Sequence, residues 1–199
     1  MLKEIVKSIF LLLMFTAICT LAYPAVVTLA ASAMFKNEAA GSLVYDEVNK
    51  SAPIASTLIG QNFSKKGYFH PRPSAAGDKG YDPLSSGGSN YGYTSQKLYD
   101  SVKDRVKKYR DENDLDAKEK VPMDAVTASA SGLDPHISIE NAKLQVARVA
   151  KDRNITELTV DKLVENSTEH RFFGFLGVEK INVVKLNLSL DRDFGKAKN

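Results

Sequence analysis

The chain has one cysteine, Cys19, and it lies inside an apolar stretch. That excludes a disulfide within the chain and a cysteine-built metal site. The three histidines, His70, His136 and His170, share no short ligand spacing, so no histidine metal site is expected either. Charge of one sign is also scarce. The formal net charge is +3, and Lys3, Glu4, Lys7 and Lys36 account for +2 of it, leaving the rest of the chain close to neutral. No basic field exists to hold nucleic acid, and no acidic tail is present. The sequence has no Gly-x-x-x-x-Gly-Lys-Ser/Thr loop and no Gly-x-Ser-x-Gly elbow, and it shows no internal repeat.

Charge is wholly absent from Ser8 to Phe35. As a helix, this stretch is roughly 42 Å long, and about 20 apolar residues suffice to cross a bilayer core. We expect residues 1–7 to be cytoplasmic, 8–35 to be a transmembrane helix and 36–199 to be an extracytoplasmic soluble domain. Pro24 is expected to kink the helix or to mark its outer end. The alternative is a cleaved signal peptide, with Lys3 and Lys7 as its basic start and Ala31-Ser32-Ala33 as its cleavage site. The apolar run exceeds the roughly 7–15 residues of a signal core. Lys3 and Lys7 favour an inward N-terminus, opposed by Glu4 and by Lys36 at the other end.

Beyond the span, 43% apolar and 26% charged residues in the whole chain fit a folded protein rather than a disordered one. Residues 36–50 read as a connector, and Ala55–Phe63 as a short strand entering a turn. Ser64 to Tyr93 is rich in Gly, Pro, Ser and Asn and reads as one long loop. Loops of that length in small domains are more often functional than idle. A helix is predicted from Ser95 to Asn113, capped by Thr94 or Ser95. Leu98, Val102, Val106 and Tyr109 form its buried stripe, and Asp104 and Lys108 pair on the solvated side. Its basic run, 103–110, reads as a solvated face. After a charged linker, Pro122 opens a short helix, and 126–129 is a strand or that helix's close. Residues 131–136 are a turn. Ser138 caps a helix to Arg153 with Ile139, Ala142, Val146 and Val149 inward, and Thr159 caps one from Val160 to Glu169. Arg171–Gly177 is an apolar segment. Ile181–Asp191 reads as the clearest strand, because Leu186, Leu188 and Leu190 alternate with polar residues. The opposite phase of Ile181 and Val183 suggests a bulge at Val183–Val184. Arg192–Asn199 reads as a frayed tail. The fold class is mixed α/β: one N-terminal transmembrane helix, then about three helices packed on a short sheet.

Ser129, Ser131, Asp134 and His136 supply the residue types of a serine hydrolase within eight positions. Hydrolase triads join residues from separate elements, so this cluster reads better as a turn before a helix. A membrane-anchored extracytoplasmic hydrolase using Ser131 and His136 remains the rival reading. The Gly-rich run Leu84–Ser89 has backbone N–H groups of the kind that cradle anions, although a tight turn explains it better.

Several motifs in order give a larger signal: Gly60-Gln61-Asn62-Phe63; Tyr68-Phe69-His70-Pro71-Arg72-Pro73-Ser74-Ala75; Ser86-Gly87-Gly88-Ser89-Asn90; Val126 through Ser138, containing Ser131-Gly132-Leu133-Asp134-Pro135-His136; Gln145-Val146-Ala147-Arg148-Val149-Ala150; and Ile181 through Asp191. Behind one N-terminal span, they resemble the C subunit of the Kdp potassium-transporting P-type ATPase over nearly the whole chain. One departure is Tyr91-Gly92-Tyr93-Thr94, where the family tends to have Leu-Gly-Pro-Thr. The resemblance implies a non-catalytic accessory subunit of a high-affinity potassium uptake pump in the cell (inner) membrane. Its implied partners are a potassium-channel-like subunit, a P-type ATPase subunit and the lipid bilayer. It also implies a chaperone role raising the ATPase subunit's affinity for ATP, linked to Ser85, Ser86, Gly87, Gly88 and Ser89. No tightly bound cofactor is expected, and ATP enters only through the ATPase subunit. Gln61, Phe63, Arg72, Pro73, Ser74, Asn90, Ser131, Gly132, Asp134, His136, Gln145 and Arg148 are implied as partner contacts or structural motif. With Lys3 and Lys7 inside, Ser85–Ser89 would lie across the membrane from cytoplasmic ATP, so docking on the channel-like subunit's outer face is the expected main action.

Overall fold

A computed structural model describes residues 1–45 and 51–197. Parts of the expected connector (46–50) and tail (198–199) lie outside the described residues. The chain divides into two compact units, Met1–Leu43 and Val44–Asn199.

In the first unit, α1 (Leu2–Ala17), a π-helical turn (Ile18–Ala22) and α2 (Tyr23–Met34) run on as one helix, Leu2–Met34. It is long and apolar enough to cross a membrane, and none of its most apolar window is buried. The widened turn sits just before Pro24, which lacks an N–H and whose ring would press on the carbonyl four residues back; one wider turn relieves both. Ser8 and Thr20 direct their hydroxyls to the carbonyls of Glu4 (2.9 Å) and Thr16 (2.6 Å), so neither donor is left bare on the apolar rod. A short helix, α3 (Lys36–Ala39), follows.

The second unit mixes helices with small sheets. β1 (Leu43–Tyr45) pairs with β2 (Pro53–Ser56). Residues 57–95 then contain no helix or strand. The chain continues through α4 (Gln96–Glu112), α5 (Met123–Val126), β3 (His136–Ile137), α6 (Ile139–Arg153), α7 (Glu157–Asn166), β4 (Thr168–Glu169), β5 (Lys180–Asn182) and α8 (Val183–Phe194). The three-stranded antiparallel sheet has the order β3-β5-β4, in the register Ile137↔Ile181 and Thr168↔Ile181. Its central residue, Ile181, enters a core of Phe69, Ile137, Val149, Val160, Val164, Leu186 and Leu190, all almost wholly buried.

The largest correction concerns the C-terminal element. Ile181–Asp191 is not one strand: β5 ends at Asn182, and a helix begins at Val183. Asn182 is the switch. Its side-chain oxygen accepts the Lys185 N–H (3.1 Å) and caps α8, while its amide donates to the Thr57 carbonyl (2.7 Å). The buried set Val183, Leu186, Asn187 and Leu190 recurs at helical spacing, and Leu188 is only half-buried. The supposed bulge at Val183–Val184 is this strand-to-helix junction.

Smaller corrections follow the same physics. α7 starts three residues before the expected position, because Thr156 rather than Thr159 is the cap; its hydroxyl accepts the Thr159 N–H. It ends at Asn166, and Thr168–Glu169 pair with β5 instead of prolonging it. Ser95 occupies the N-cap of α4 without a side-chain cap bond. Of that helix's stripe only Tyr109 is fully buried, and Lys108 pairs with Glu112 (3.7 Å), not Asp104. Residues 127–129 form no strand.

Candidate functional site

The long loop tract is held down by buried polar side chains. Gln145, on α6 and fully buried, accepts the His70 N–H (2.7 Å) and donates to the His70 carbonyl (3.2 Å). Asn187, on α8 and equally buried, does the same for Phe69 at 2.9 Å in both directions. Two side-chain amides thus take the place of a neighbouring strand for a segment that has none, and answer the requirement that buried backbone groups be paired. Arg148, one turn along α6 from Gln145, donates to the carbonyls of Lys66 and of Tyr68 (2.9 Å), to Asn113 (2.9 Å) and to Gln145 (2.6 Å). All of these partners are neutral. Burial brings its guanidinium down to about 10, with Glu112, Tyr109 and Asp152 opposing the fall. Arg153 holds Gly67 (2.6 Å) and Asp191 (2.8 Å) and stands over the Tyr68 ring, whose hydroxyl also reaches Asp191. Burial, followed by the nearby Arg148 charge, pushes His70 below its ordinary value, so its 3.6 Å approach to Glu112 at neutral pH is a polar contact and not an ion pair.

Beyond residue 70 the tract knots onto the 129–136 turn. Arg72 pairs with Asp134 (3.1 Å). The Ser74 hydroxyl donates to the Gly132 carbonyl (2.6 Å) and accepts the Ala76 and Tyr81 N–H groups. The Tyr81 hydroxyl donates to the Arg72 carbonyl, the Pro73 carbonyl accepts the Ser129 N–H (3.3 Å), and Gly60 N–H reaches Leu133 (2.7 Å). The Ser131 carbonyl takes both the Gly87 N–H (2.9 Å) and the Ser86 hydroxyl (2.9 Å). Gly132 sits at φ +68 where the segments of this knot cross. The two sequence regions, 64–93 and 129–138, therefore form one continuous surface. A cleft of about 290 Å³ opens between the tract and α4, lined among others by Arg72, Lys79, Arg105, Lys108 and Glu112.

The residues singled out in the sequence fall on two levels. Gln145 and Arg148 lie inside, gripping the loop. Gln61, Phe63, Arg72, Pro73, Ser74, Asp134 and His136 are half-buried, and Asn90 and Ser131 are exposed. Gln61 donates to the Ile54 carbonyl (3.1 Å), and Phe63 packs on the core. In Ser85–Ser89, the Gly87 N–H and the Ser86 hydroxyl both point at Ser131, so neither faces outward to an anion. Asn187, Asn141, Tyr109 and Arg153 belong to the same framework; helical spacing marked Tyr109 as buried, and no local pattern marked the other three.

The serine, histidine and acid cluster does not make a relay. His136 Nδ1 meets Asp134 (3.2 Å) and Nε2 faces Glu169 (3.7 Å), so neither nitrogen addresses a serine. Ser129 is buried, and the Ser131 hydroxyl accepts the Leu133 N–H. Among the described residues no group of three or more His, Cys, Asp or Glu is placed to hold a metal ion.

Asp134 joins the tract to the turn, and its carboxyl carries a pH dependence. Burial would raise it, but the His136 side-chain and backbone donors and then Arg72 outweigh burial and hold it at about 2, against 3.8 unperturbed. A carboxyl lowered by folding contributes stability above its unfolded value and loses it as pH falls through the folded one. Between about pH 4 and pH 2 the wild-type melting temperature should therefore fall more steeply than that of Asp134→Asn. Circular dichroism of the full chain in detergent measures this, and parallel slopes would contradict it.

Known sequences match this chain over nearly its whole length. The family model described as "K+-transporting ATPase, c chain" matches residues 5–192. The chain is 48% identical over 190 residues to the potassium-transporting ATPase KdpC subunit of Mycobacterium bovis (strain BCG), covering 96% of this chain and 98% of the relative. It is 49% identical to the Geotalea uraniireducens KdpC subunit with the same coverage. With that of Geobacter sulfurreducens it shares 47% over 95% of this chain and 97% of the relative. The chain belongs to the KdpC family, the c chain of K+-transporting ATPases.

Proposed function

We propose that this chain is a non-catalytic accessory subunit of an ATP-driven potassium uptake pump, and that the knotted surface of residues 71–93 and 129–138 is its docking face. The observation that carries this is the construction of the tract. A loop lacking helix and strand over 57–95 is held at residues 66–70 by Gln145, Arg148, Arg153 and Asn187 and at 72–87 by its bonds to the 129–134 turn, an arrangement suited to presenting fixed side chains to a partner. In this reading helix Leu2–Met34 crosses the inner membrane with its N-terminus in the cytoplasm. Small residues such as Ala17, Ala22, Ala25, Ala30 and Ala31 let partner helices approach closely. The folded unit lies outside and docks on the outer face of a channel-like subunit, beside the P-type ATPase subunit. Any gain in the ATPase subunit's affinity for ATP is then indirect, through the partner state that docking favours, and Ser85–Ser89 act as part of the docking surface.

Mild detergent extraction with an affinity tag on this chain tests the reading. A large multi-span protein and an ATPase should co-purify. Arg72→Ala should cut that yield by roughly tenfold while costing the domain no more than about 1 kcal/mol, because the Arg72–Asp134 pair is partly solvated. Full co-purification with Arg72→Ala would remove Arg72 from the docking face.

A further inference from the structure

A second surface, at the tip of the β4–β5 hairpin, adjoins this face through a cleft that Val178 and Glu179 line together with Arg72, Asp134 and His136. Phe172, Phe173, Phe175, Leu176 and Val178 are 66%, 76%, 70%, 51% and 72% exposed. Charge is absent from 172 to 178. Three phenyl rings would each bury about 150–250 Å² against a partner, comparable in sum to the largest apolar patch of an ordinary monomer, about 300–600 Å².

The tip is shaped rather than slack. Phe172 and Leu176 exchange both backbone hydrogen bonds at 2.9 Å, and the Gly174 N–H reaches the Arg171 carbonyl at 3.0 Å. The Phe172 and Phe173 rings stand 4.3 Å apart. Phe173 itself is held at φ +53, a conformation that costs a non-glycine residue, with Gly174 at +79 next to it and Gly177 at +86 further on. At the root, His170 and Glu179 pair at 2.9 Å, and β4–β5 pairing runs directly into the buried Ile181.

We propose that this finger seats in a dry, apolar pocket on the extramembrane part of another subunit of the same pump; the proposal rests on the accessory-subunit reading above. A fixed shape serves a fixed pocket, since preorganised side chains lose little freedom on docking, whereas lipid asks for no shape. The rings are all phenylalanine, without the polar handle by which Trp and Tyr anchor at a membrane interface. The root is of mixed charge, with Glu169, Arg171, Glu179 and Lys180 along its two strands, and not the basic collar that anionic lipid attracts.

The chain contains no tryptophan, so Phe175→Trp supplies a single fluorophore at the tip. The full-length variant is reconstituted in phosphatidylcholine liposomes, alone and with the other pump subunits, and probed with acrylamide and with brominated phosphatidylcholine. Alone, the tryptophan should be open to acrylamide and untouched by brominated lipid. On assembly, its emission should shift to the blue and acrylamide quenching should fall about threefold or more, as expected of a ring excluded from water. Quenching of the lone chain by brominated lipid would overturn the proposal in favour of a lipid-seated finger, and unchanged acrylamide access on assembly would overturn it outright. The double variant Phe173→Asp, Phe175→Asp should keep its melting curve and lose about tenfold or more in co-purified subunits. If wild type co-purifies and the double variant does so equally, the finger alone is refuted. If wild type fails to co-purify, both readings fall.

Discussion

Gly132→Ala is expected to destabilise the folded unit by about 3 kcal/mol or more, the largest effect of any one-carbon change in the loop knot. Gly132 is at φ +68, where a side chain costs about 1–2 kcal/mol before any contact is counted. The added Cβ would stand 2.6 Å from the Gly87 carbonyl oxygen and 2.8 Å from both the nitrogen and Cβ of Ala76. These are backbone and stub atoms of two stretches of the loop tract, so no rotamer change relieves them. The loops would have to part, and the bonds from Ser74 to the Gly132 carbonyl and from Gly87 to Ser131 go with them. Thermal unfolding should show a fall of roughly 6–12 °C for a domain of this size. A change within about 2 °C would mean that the knot is looser than its contacts indicate.

Gln145→Leu should have a comparable cost with a different signature. Leucine fills a similar volume but leaves four groups without their present partner: the His70 N–H and carbonyl, the Asn141 side-chain oxygen and one Arg148 nitrogen. Each buried group left unsatisfied costs about 1–3 kcal/mol, more where a charge is involved; with partial relief from water and from Tyr109, which also donates to Asn141, the sum is about 3–5 kcal/mol. The loss begins locally. Amide exchange at residues 66–70 should accelerate by about a hundredfold or more, while Val146 and Val149 in α6 keep most of their protection. Uniform acceleration across the domain would instead mean that tract and core unfold as one unit.

The helices legible in the sequence are those whose signals are local. α6 carries its own cap, Ser138 bonding to the Asn141 N–H, and an unbroken inward set of Ala142, Val146 and Val149. α8 failed for a local reason too. Leu186, Leu188 and Leu190 satisfy a period of two, and the residue that restores the helical period, Asn187, is polar and so reads as outward-facing. It is inward because a backbone segment 118 residues earlier needs its amide. Gln145 and Arg148 pose the same problem at separations of 75 and about 80 residues. Hydropathy patterns score such groups as surface, and only the partner, distant in sequence, shows that they are inside. The loop tract itself was legible as a loop from its Gly, Pro and Ser content, and its joining to the 129–136 turn was not, because that joining is made of single hydrogen bonds between irregular segments. The π turn before Pro24 leaves no mark beyond the proline.

Hydrogen–deuterium exchange on the full-length chain, alone and after assembly with the other pump subunits, tests the docking face most directly. New protection is expected across 71–93 and 129–138, with residues 66–70 slow to exchange in both states because side chains of α6 and α8 already hold them. Exchange in 71–93 and 129–138 that is the same in both states would contradict it.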